Sequence, residues 1–374
     1  MNYFVRSIVF ILFAICSFYY AWSEGDRDIS NEDYVKVSAS IPTLYTRSIG
    51  YDHNAGNVVA VQTYMNVYDY STPERFYEKL EFYLREAKRK GFLKEGTIVL
   101  FPEHIGTPLV LLGEKKDVYA ANTVTSAFSQ IGFANLFHFL RIYFGVVGES
   151  SGEIVFRMKS EEMKSVYDST FRKLSALYKV FIVGGSILLP EPKINPDTGV
   201  IEINTGKFFN SCFIFLPDGK IFSQFSQKKN LTKIEKQVTT SSEIPDRAFL
   251  ELKNVGILLS NDSIYWSMHN EKVRNKEILL SPSLLFEKDE IDWNTNDIYG
   301  KDTFDSNITQ AELWRKYSIF EKTKNSPSNR VVIQVVMLGK FFDLTLEGES
   351  AGLIRYVATE GLDNKNPALL NVWF

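Results

Sequence analysis

The sequence predicts a layered α/β or α+β protein built around two packed sheets. Helix and strand patterns alternate through the first half of the chain, and strand patterns dominate the second half. The chain has 374 residues, 45% of them hydrophobic and 23% charged, an ordinary globular composition with ample material for a core. Length alone admits two domains, but a single large layered domain fits equally well.

Residues 1–23 read as a secretory signal. Arg6 supplies the positive start, residues 7–20 are apolar, and Ala21 and Ser23 are small residues at the spacing a signal peptidase reads. The apolar run is about 14 residues, short for a spanning helix. An uncleaved anchor is the alternative. Cys16 lies in this run without the leucine and small residue of a lipoprotein box, so no lipid is expected. Residues 24–54 read as an N-terminal extension, and one folded domain is expected over 55–374.

Residues 57–63 (NVVAVQT) have the apolar content of a buried strand. A helix follows: Thr72 can cap it, Pro73 suits its first turn, Phe76, Leu80, Tyr83, Leu84 and Ala87 mark its buried face, and Gly91 stops it. Residues 97–101 (TIVLF) form a second apolar strand, ending in Pro102 and Glu103. Residues 127–147 (AFSQIGFANLFHFLRIYFGVV) are strongly apolar yet contain His138 and Arg141. They read as a buried helix, with a pocket lid, an oligomer contact or a membrane-surface helix as alternatives. A helix is next expected through Met163, Val166, Tyr167, Phe171, Leu174 and Leu177. Strands are expected at 180–187, 211–216 and 221–225, the last two joined by the turn Pro217, Asp218, Gly219. Later strands are expected at 255–259, 277–280, 331–337 and 344–355.

Composition excludes several classes. Lys and Arg total 42 against 45 Asp and Glu, a net charge of −3, and no basic block appears, so nucleic acid is not an expected partner. The histidines (53, 104, 138, 269) show no metal-ligand spacing, so no metal site is expected. Past the leader, Cys212 is the single cysteine. It lies in an apolar strand pattern and reads as a small buried hydrophobe. Asn230, Asn261 and Asn307 fit the N-glycan acceptor pattern, which short motifs often match by chance.

Three polar residues stand at or just beyond the ends of apolar strands: Glu103, Lys228 and Ser260. Such ends can converge at one mouth of a sheet. A carboxylate, an ammonium and a hydroxyl there can supply base, oxyanion stabiliser and nucleophile for acyl transfer. Taken singly, each is as well read as a turn, a cap or a solvated charge.

Together and in this order they resemble the nitrilase, or carbon–nitrogen hydrolase, superfamily. FPE at 101–103 resembles its glutamate motif. QKKNLT at 227–232 resembles its lysine motif, with Asn230 where histidine is common. LSNDS at 259–263 resembles its nucleophile motif, with Ser260 in place of cysteine. VGGS at 183–186, the strand and turn of 210–219, ILLSPS at 278–283 and GES at 348–350 add to the likeness, which covers about 56–360. Glu235 resembles a second glutamate that many members place near the lysine. The segment at about 115–158 reads as an insertion. The resemblance implies a four-layer α-β-β-α sandwich and homodimerisation. It also implies cofactor-free hydrolysis of non-peptide C–N bonds. By the same resemblance Glu103 is the base, Lys228 and the Asn261 N–H hold the oxyanion, Ser260 is the nucleophile, and Asp262 is the acid beside it.

The serine carries a chemical cost. A free thiol has a pKa of about 8.5, and water, at about 15.7, is a proxy for an alcohol. The gap of about 7 units is roughly 9–10 kcal/mol. Even half of it slows the step about a thousandfold. Three readings follow: a binding pocket for an amide, nitrile or carboxylate with weakened or lost chemistry; an active amidase using Ser260; and a secreted interaction protein. Export to the periplasm or outside the cell is expected, with membrane-surface contact through 127–147 as one option.

Overall fold

The computed structural model describes residues 3–38, 42–146, 148–232, 234–243, 254–265, 276–285, 319–323, 330–354, 357–358, 362 and 365–374. His269 and Asn307 lie outside them. The amino-terminal part runs α1 (Tyr3–Glu24), α2 (Asn31–Ser38), β1 (Tyr45–Ile49), β2 (Asn57–Asn66), α3 (Pro73–Arg89) and β3 (Ile98–Leu100). Next come α4 (Lys116–Tyr119), α5 (Val124–Ala134), α6 (Leu136–Gly145), α7 (Ser151–Tyr178), β4 (Phe181–Val183) and β5 (Ile187–Pro190). A short hairpin, β6 (Lys193–Ile194) and β7 (Ile201–Glu202), leads to β8 (Phe208–Cys212), β9 (Ile214–Phe215) and β10 (Ser226–Gln227). The carboxy-terminal part holds β11 (Val255–Ile257), α8 (Asp262–Tyr265), β12 (Ile278–Ser283) and α9 (Ile319–Thr323). It ends with β13 (Val331–Phe341), β14 (Leu344–Leu346), β15 (Ala351–Ile354), β16 (Val357–Ala358) and β17 (Ala368–Trp373).

Side-chain alternation along the strands creates the layers. In β2, Val59 and Val61 face a core that also holds Phe76 and Leu80 of α3 and Met163, Tyr167 and Phe171 of α7. Their neighbours Val58 and Ala60 face the other way, onto Ile257, Ile278, Leu280, Val331 and Ile333 of a second group of strands. Those strands turn Leu279 and Val332 outward against Ile319 of α9. Helices, sheet, sheet and helix therefore stack as an α-β-β-α sandwich, the architecture expected from the motifs.

The strand order β11-β12-β13-β2-β3-β4-β9 makes the two halves continuous. β13 joins them: Val331 to Val336 pair in parallel with β12, and Met337 to Lys340 pair in parallel with β2. Gly339 sits in the second stretch at φ +136, where a Cβ would meet the Met65 carbonyl oxygen at 1.8 Å. Only glycine fits there.

Most predicted elements hold. The α3 cap is as read, with the Thr72 hydroxyl accepting from the Arg75 N–H at 3.2 Å, Pro73 in the first turn and Gly91 at φ +73 beyond the end. The expected strand 180–187 is two strands in different sheets. Gly185 breaks it at φ +63, where a Cβ would meet the Pro102 carbonyl oxygen at 2.0 Å. β4 then stays with β3, while β5 pairs with β8. The expected strand 221–225 reduces to one bridge, Ile221 with Phe215, and the pairing onto β8 falls to β10 instead. Residues 344–354 form two strands, β14 and β15, both paired with β13; Arg355 lies outside the described residues. Residues 127–147 are not one buried helix. The chain breaks at Asn135 into α5, with Ala127, Ile131, Gly132 and Ala134 buried, and α6, which buries none.

Candidate active site

Glu103 lies three residues past the end of β3 and is 1% exposed. Lys228 follows β10 and is 2% exposed, with its N–H bonded to the Asn210 carbonyl of β8 at 3.0 Å. Its ammonium lies 2.9 Å from Glu103 Oε1 and 2.7 Å from Glu235 Oε1. Glu235 opens a short 3-10 turn (Glu235–Gln237) and is held by Thr232: the Thr232 N–H donates to Glu235 Oε2 at 2.8 Å, and the Glu235 N–H donates back to Thr232 Oγ1 at 3.2 Å. Burial works against the Lys228 charge, but the two facing carboxylates outweigh it and hold its pKa above the ordinary value. Burial likewise works against the Glu235 carboxylate. Lys228 and then His104 overcome it and pull its pKa well below the usual range.

Glu103 keeps one oxygen free. Oε1 takes Lys228 and a hydrogen bond from Asn210 Nδ2 at 3.0 Å, whereas Oε2 is buried with no hydrogen-bond partner among the described residues. A buried carboxylate oxygen without a partner is costly in a finished structure. It is what a proton acceptor or a receptor for a ligand N–H requires.

Ser260 lies two residues beyond Leu258, past the end of β11, at φ +43. Its N–H donates to the Pro282 carbonyl at 2.9 Å, and its carbonyl accepts from the Ser263 N–H at 2.9 Å. The chain then enters α8, so Ser260 occupies a tight strand-to-helix elbow. Left-handed backbone in a serine is strained and belongs to sites whose surroundings enforce it. Asp262 binds this elbow to the lysine loop. Its carboxylate accepts from the Lys229 N–H at 3.1 Å, the Asn230 N–H at 2.7 Å and Asn230 Nδ2 at 2.8 Å. The Asn261 N–H has no acceptor among the described residues.

Glu103, Lys228 and Glu235 thus meet directly, and Ser260, Asn261 and Asp262 adjoin them through the lysine loop. A cavity of about 740 Å³ is lined by Glu103, His104, Lys228 and Glu235, while Ser260, 2% exposed, is outside that lining.

His104 was not singled out by its sequence position, yet it belongs to the cluster. Its backbone is at φ +57, and its N–H donates to Ser186 Oγ at 2.8 Å. Nδ1 lies 2.8 Å from Thr107 Oγ1, and Nε2 lies 3.2 Å from Glu235 Oε1. Nε2 also lies 3.0 Å from Asn210 Nδ2, so the ring bridges Thr107, Asn210 and Glu235. The signal available in sequence was adjacency to Glu103, which does not distinguish a site residue from a turn residue.

One ligand atom each from Glu103, His104 and Glu235 lies within 4.8 Å of the others, a spacing that suits a metal ion. The Lys228 ammonium already contacts both carboxylates, so the cation of this cluster is a lysine. Cys212 is buried behind it, its thiol pushed up by burial and by the Glu103 carboxylate. Asn261 is buried and the Asn230 amide is engaged by Asp262, which leaves neither free for a glycan.

No protein-family model matches the sequence, and no curated protein matches it. Solved structures do match the fold. The amidase from Nesterenkonia sp. superposes with a TM-score of 0.53 at 12% identity, over 87% of this chain and 91% of that one. A double mutant of that amidase in complex with acrylamide gives 0.53 at 11% identity, over 87% and 92%. A cysteine-to-serine mutant, described as of the nitrilase superfamily, gives 0.52 at 12% identity, over 85% and 91%. In fold, this chain is similar to the amidases of the nitrilase superfamily.

Proposed function

We propose that this protein is a carbon–nitrogen hydrolase in site design, recognising an amide or nitrile, with hydrolysis attenuated because Ser260 stands at the nucleophile position. The observation that carries the reading is the buried Glu103–Lys228–Glu235 cluster, tied by Asp262 to the Ser260 elbow. Keeping Glu103 and Lys228 this deeply buried is expensive without a role for them. In this reading Glu103 Oε2 takes the nucleophile's proton. Lys228 and the Asn261 N–H neutralise the oxyanion, and the proton then passes to the leaving nitrogen. Glu103 and Glu235 position Lys228 and keep it charged, and His104 holds Glu235. The carboxylate base suits a thiol better than an alcohol, so wild-type turnover is slow. The location of Ser260 outside the cavity lining favours binding over fast chemistry as its second-best description.

An anchored state belongs to the same proposal. α1 runs through the expected cleavage site. The Trp22 carbonyl accepts from Lys115 Nζ at 2.7 Å, and the Ser23 carbonyl accepts from Arg27 Nε at 2.8 Å. Among the described residues α1 alone is long and apolar enough to cross a membrane. Its packing onto the body supports an uncleaved anchor on an exported domain. Homodimerisation remains the expectation from the resemblance.

The test is ammonia release from a panel of amides and nitriles by wild type, Ser260→Cys and Ser260→Cys/Glu103→Gln. Rescue by the cysteine, and its loss with Glu103→Gln, are the expected results. Wild-type turnover equal to that of the cysteine variant overturns the attenuated-hydrolase reading.

A further inference from the structure

The cavity beside the cluster is far more apolar than recognition of a small amide requires. Its charged lining groups are Glu103, Lys228 and Glu235, all in the cluster itself. Away from them the walls are mostly apolar, with Val110, Phe128, Leu136, Phe139, Met337 and Leu346, interspersed with uncharged Ser, Thr and Gln side chains. About 740 Å³ is within the roughly 300–1,000 Å³ range of pockets that enclose drug-sized ligands. Acetamide or acrylamide fills a small fraction of that.

The same wall continues outward to α1. Phe133 lines the cavity and also packs on Trp22 and Tyr19, with ring centroids 5.2 and 6.2 Å away. The Tyr19 hydroxyl donates to the Phe133 carbonyl at 2.8 Å and accepts from the Leu136 N–H at 2.9 Å. Beyond this contact, Phe137 and Phe144 of α6 are exposed, Phe144 at 79%, and the apolar face of α1 is uncovered. Exposed aromatics contiguous with an apolar helix mark a surface that meets a nonpolar phase.

We propose that the ligand of this site is a carboxamide borne on a long alkyl chain, held with its amide at Glu103 and Lys228 and its chain along the α5–α6 wall, and taken up from the bilayer that holds α1. The inference rests on the amide-binding reading and specifies its substrate class. Each methylene that enters the cavity adds hydrophobic transfer free energy, equivalent to about a fourfold gain in affinity.

The experiment is equilibrium dialysis of radiolabelled saturated primary amides of two, four, six, eight and ten carbons. The protein is the full chain in phosphatidylcholine nanodiscs, and empty nanodiscs supply the partitioning blank. The expected result is an affinity that rises about fourfold per methylene. Leu346→Trp and Phe128→Trp, which narrow the cavity, then each weaken decanamide by more than tenfold while circular dichroism stays that of the wild type. An affinity independent of chain length overturns the proposal, as does undiminished decanamide binding in both variants. If only one tryptophan variant folds, the wild-type slope still decides. No turnover is read, so a chemically silent Ser260 contradicts neither arm. Failure of the hydrolase reading and failure of this proposal are therefore separate results.

Discussion

At Glu103, one oxygen is committed to Lys228 and Asn210 and the other is left bare in a buried setting. The asymmetry lets one oxygen anchor the cation and leaves the other for the proton that the proposed function assigns to it. Lys228 and Glu235 also set a pH signature. The folded Glu235 pKa lies below its ordinary value of 4.5, so its stabilisation is full above that value and is lost as pH falls toward the folded value. The folded Lys228 pKa lies above its ordinary 10.5, so its stabilisation is full below 10.5 and is lost only as pH rises through the folded value. Urea midpoints measured from pH 3 to 9 should therefore fall on the acid side, and Glu235→Gln should remove part of that fall. A midpoint profile identical in the variant contradicts the ion-pair account. Glu103, Lys228 and Ser260 were legible in the sequence because each follows an apolar strand. His104 was not, because its partners Ser186, Asn210 and Glu235 come from three separate segments, and only tertiary pairing assembles them.

Among the elements, two connections matter most. Asp262 staples the Ser260 elbow to the lysine loop with three hydrogen bonds to its carboxylate. Asp262→Ala should cost about 1–3 kcal/mol, since charge-assisted bonds are lost and N–H groups are left unpaired. Chemical denaturation checks this, and an unchanged midpoint means the staple carries no stability. Gly185 is the second connection, where the chain leaves β4 for β5 against the Pro102 carbonyl, next to Glu103. Gly185→Ala should cost roughly 2–5 kcal/mol from left-handed strain and overlap. A thermal midpoint within 1–2 degrees of wild type contradicts the contact. β2, β3 and β13 were readable as continuous apolar runs because both faces of each strand are buried, each against a separate layer. The break at Gly185 was hidden inside an apolar run, since apolar content reports burial and not pairing partner. The split of 127–147 at Asn135 was hidden for a related reason. Uniform apolarity marks a nonpolar environment and does not distinguish a core from a cavity wall or an exposed face.

For the whole molecule, the sandwich positions its site at the edge where β3, β10 and β11 end, and a helical wall with its own apolar exterior flanks it. The four layers follow from alternation in single strands: Val58 and Val59 already face different cores. The N-terminal segment was read as a leader or an anchor from composition alone. The packing of Tyr19 and Trp22 on Phe133 relates that segment to the site, which no local pattern encodes. α1, the α5–α6 wall and the ion cluster are contiguous in the structure.

The most direct measurement of the central claim compares ammonia release by wild type and Ser260→Cys at equal protein concentration, on a panel that spans short and long primary amides. Restoring the thiol should raise the rate by about a hundredfold or more, given the acidity gap between thiol and alcohol. A cysteine variant no faster than wild type on amides that both proteins bind would contradict the assignment of Ser260 to the nucleophile position.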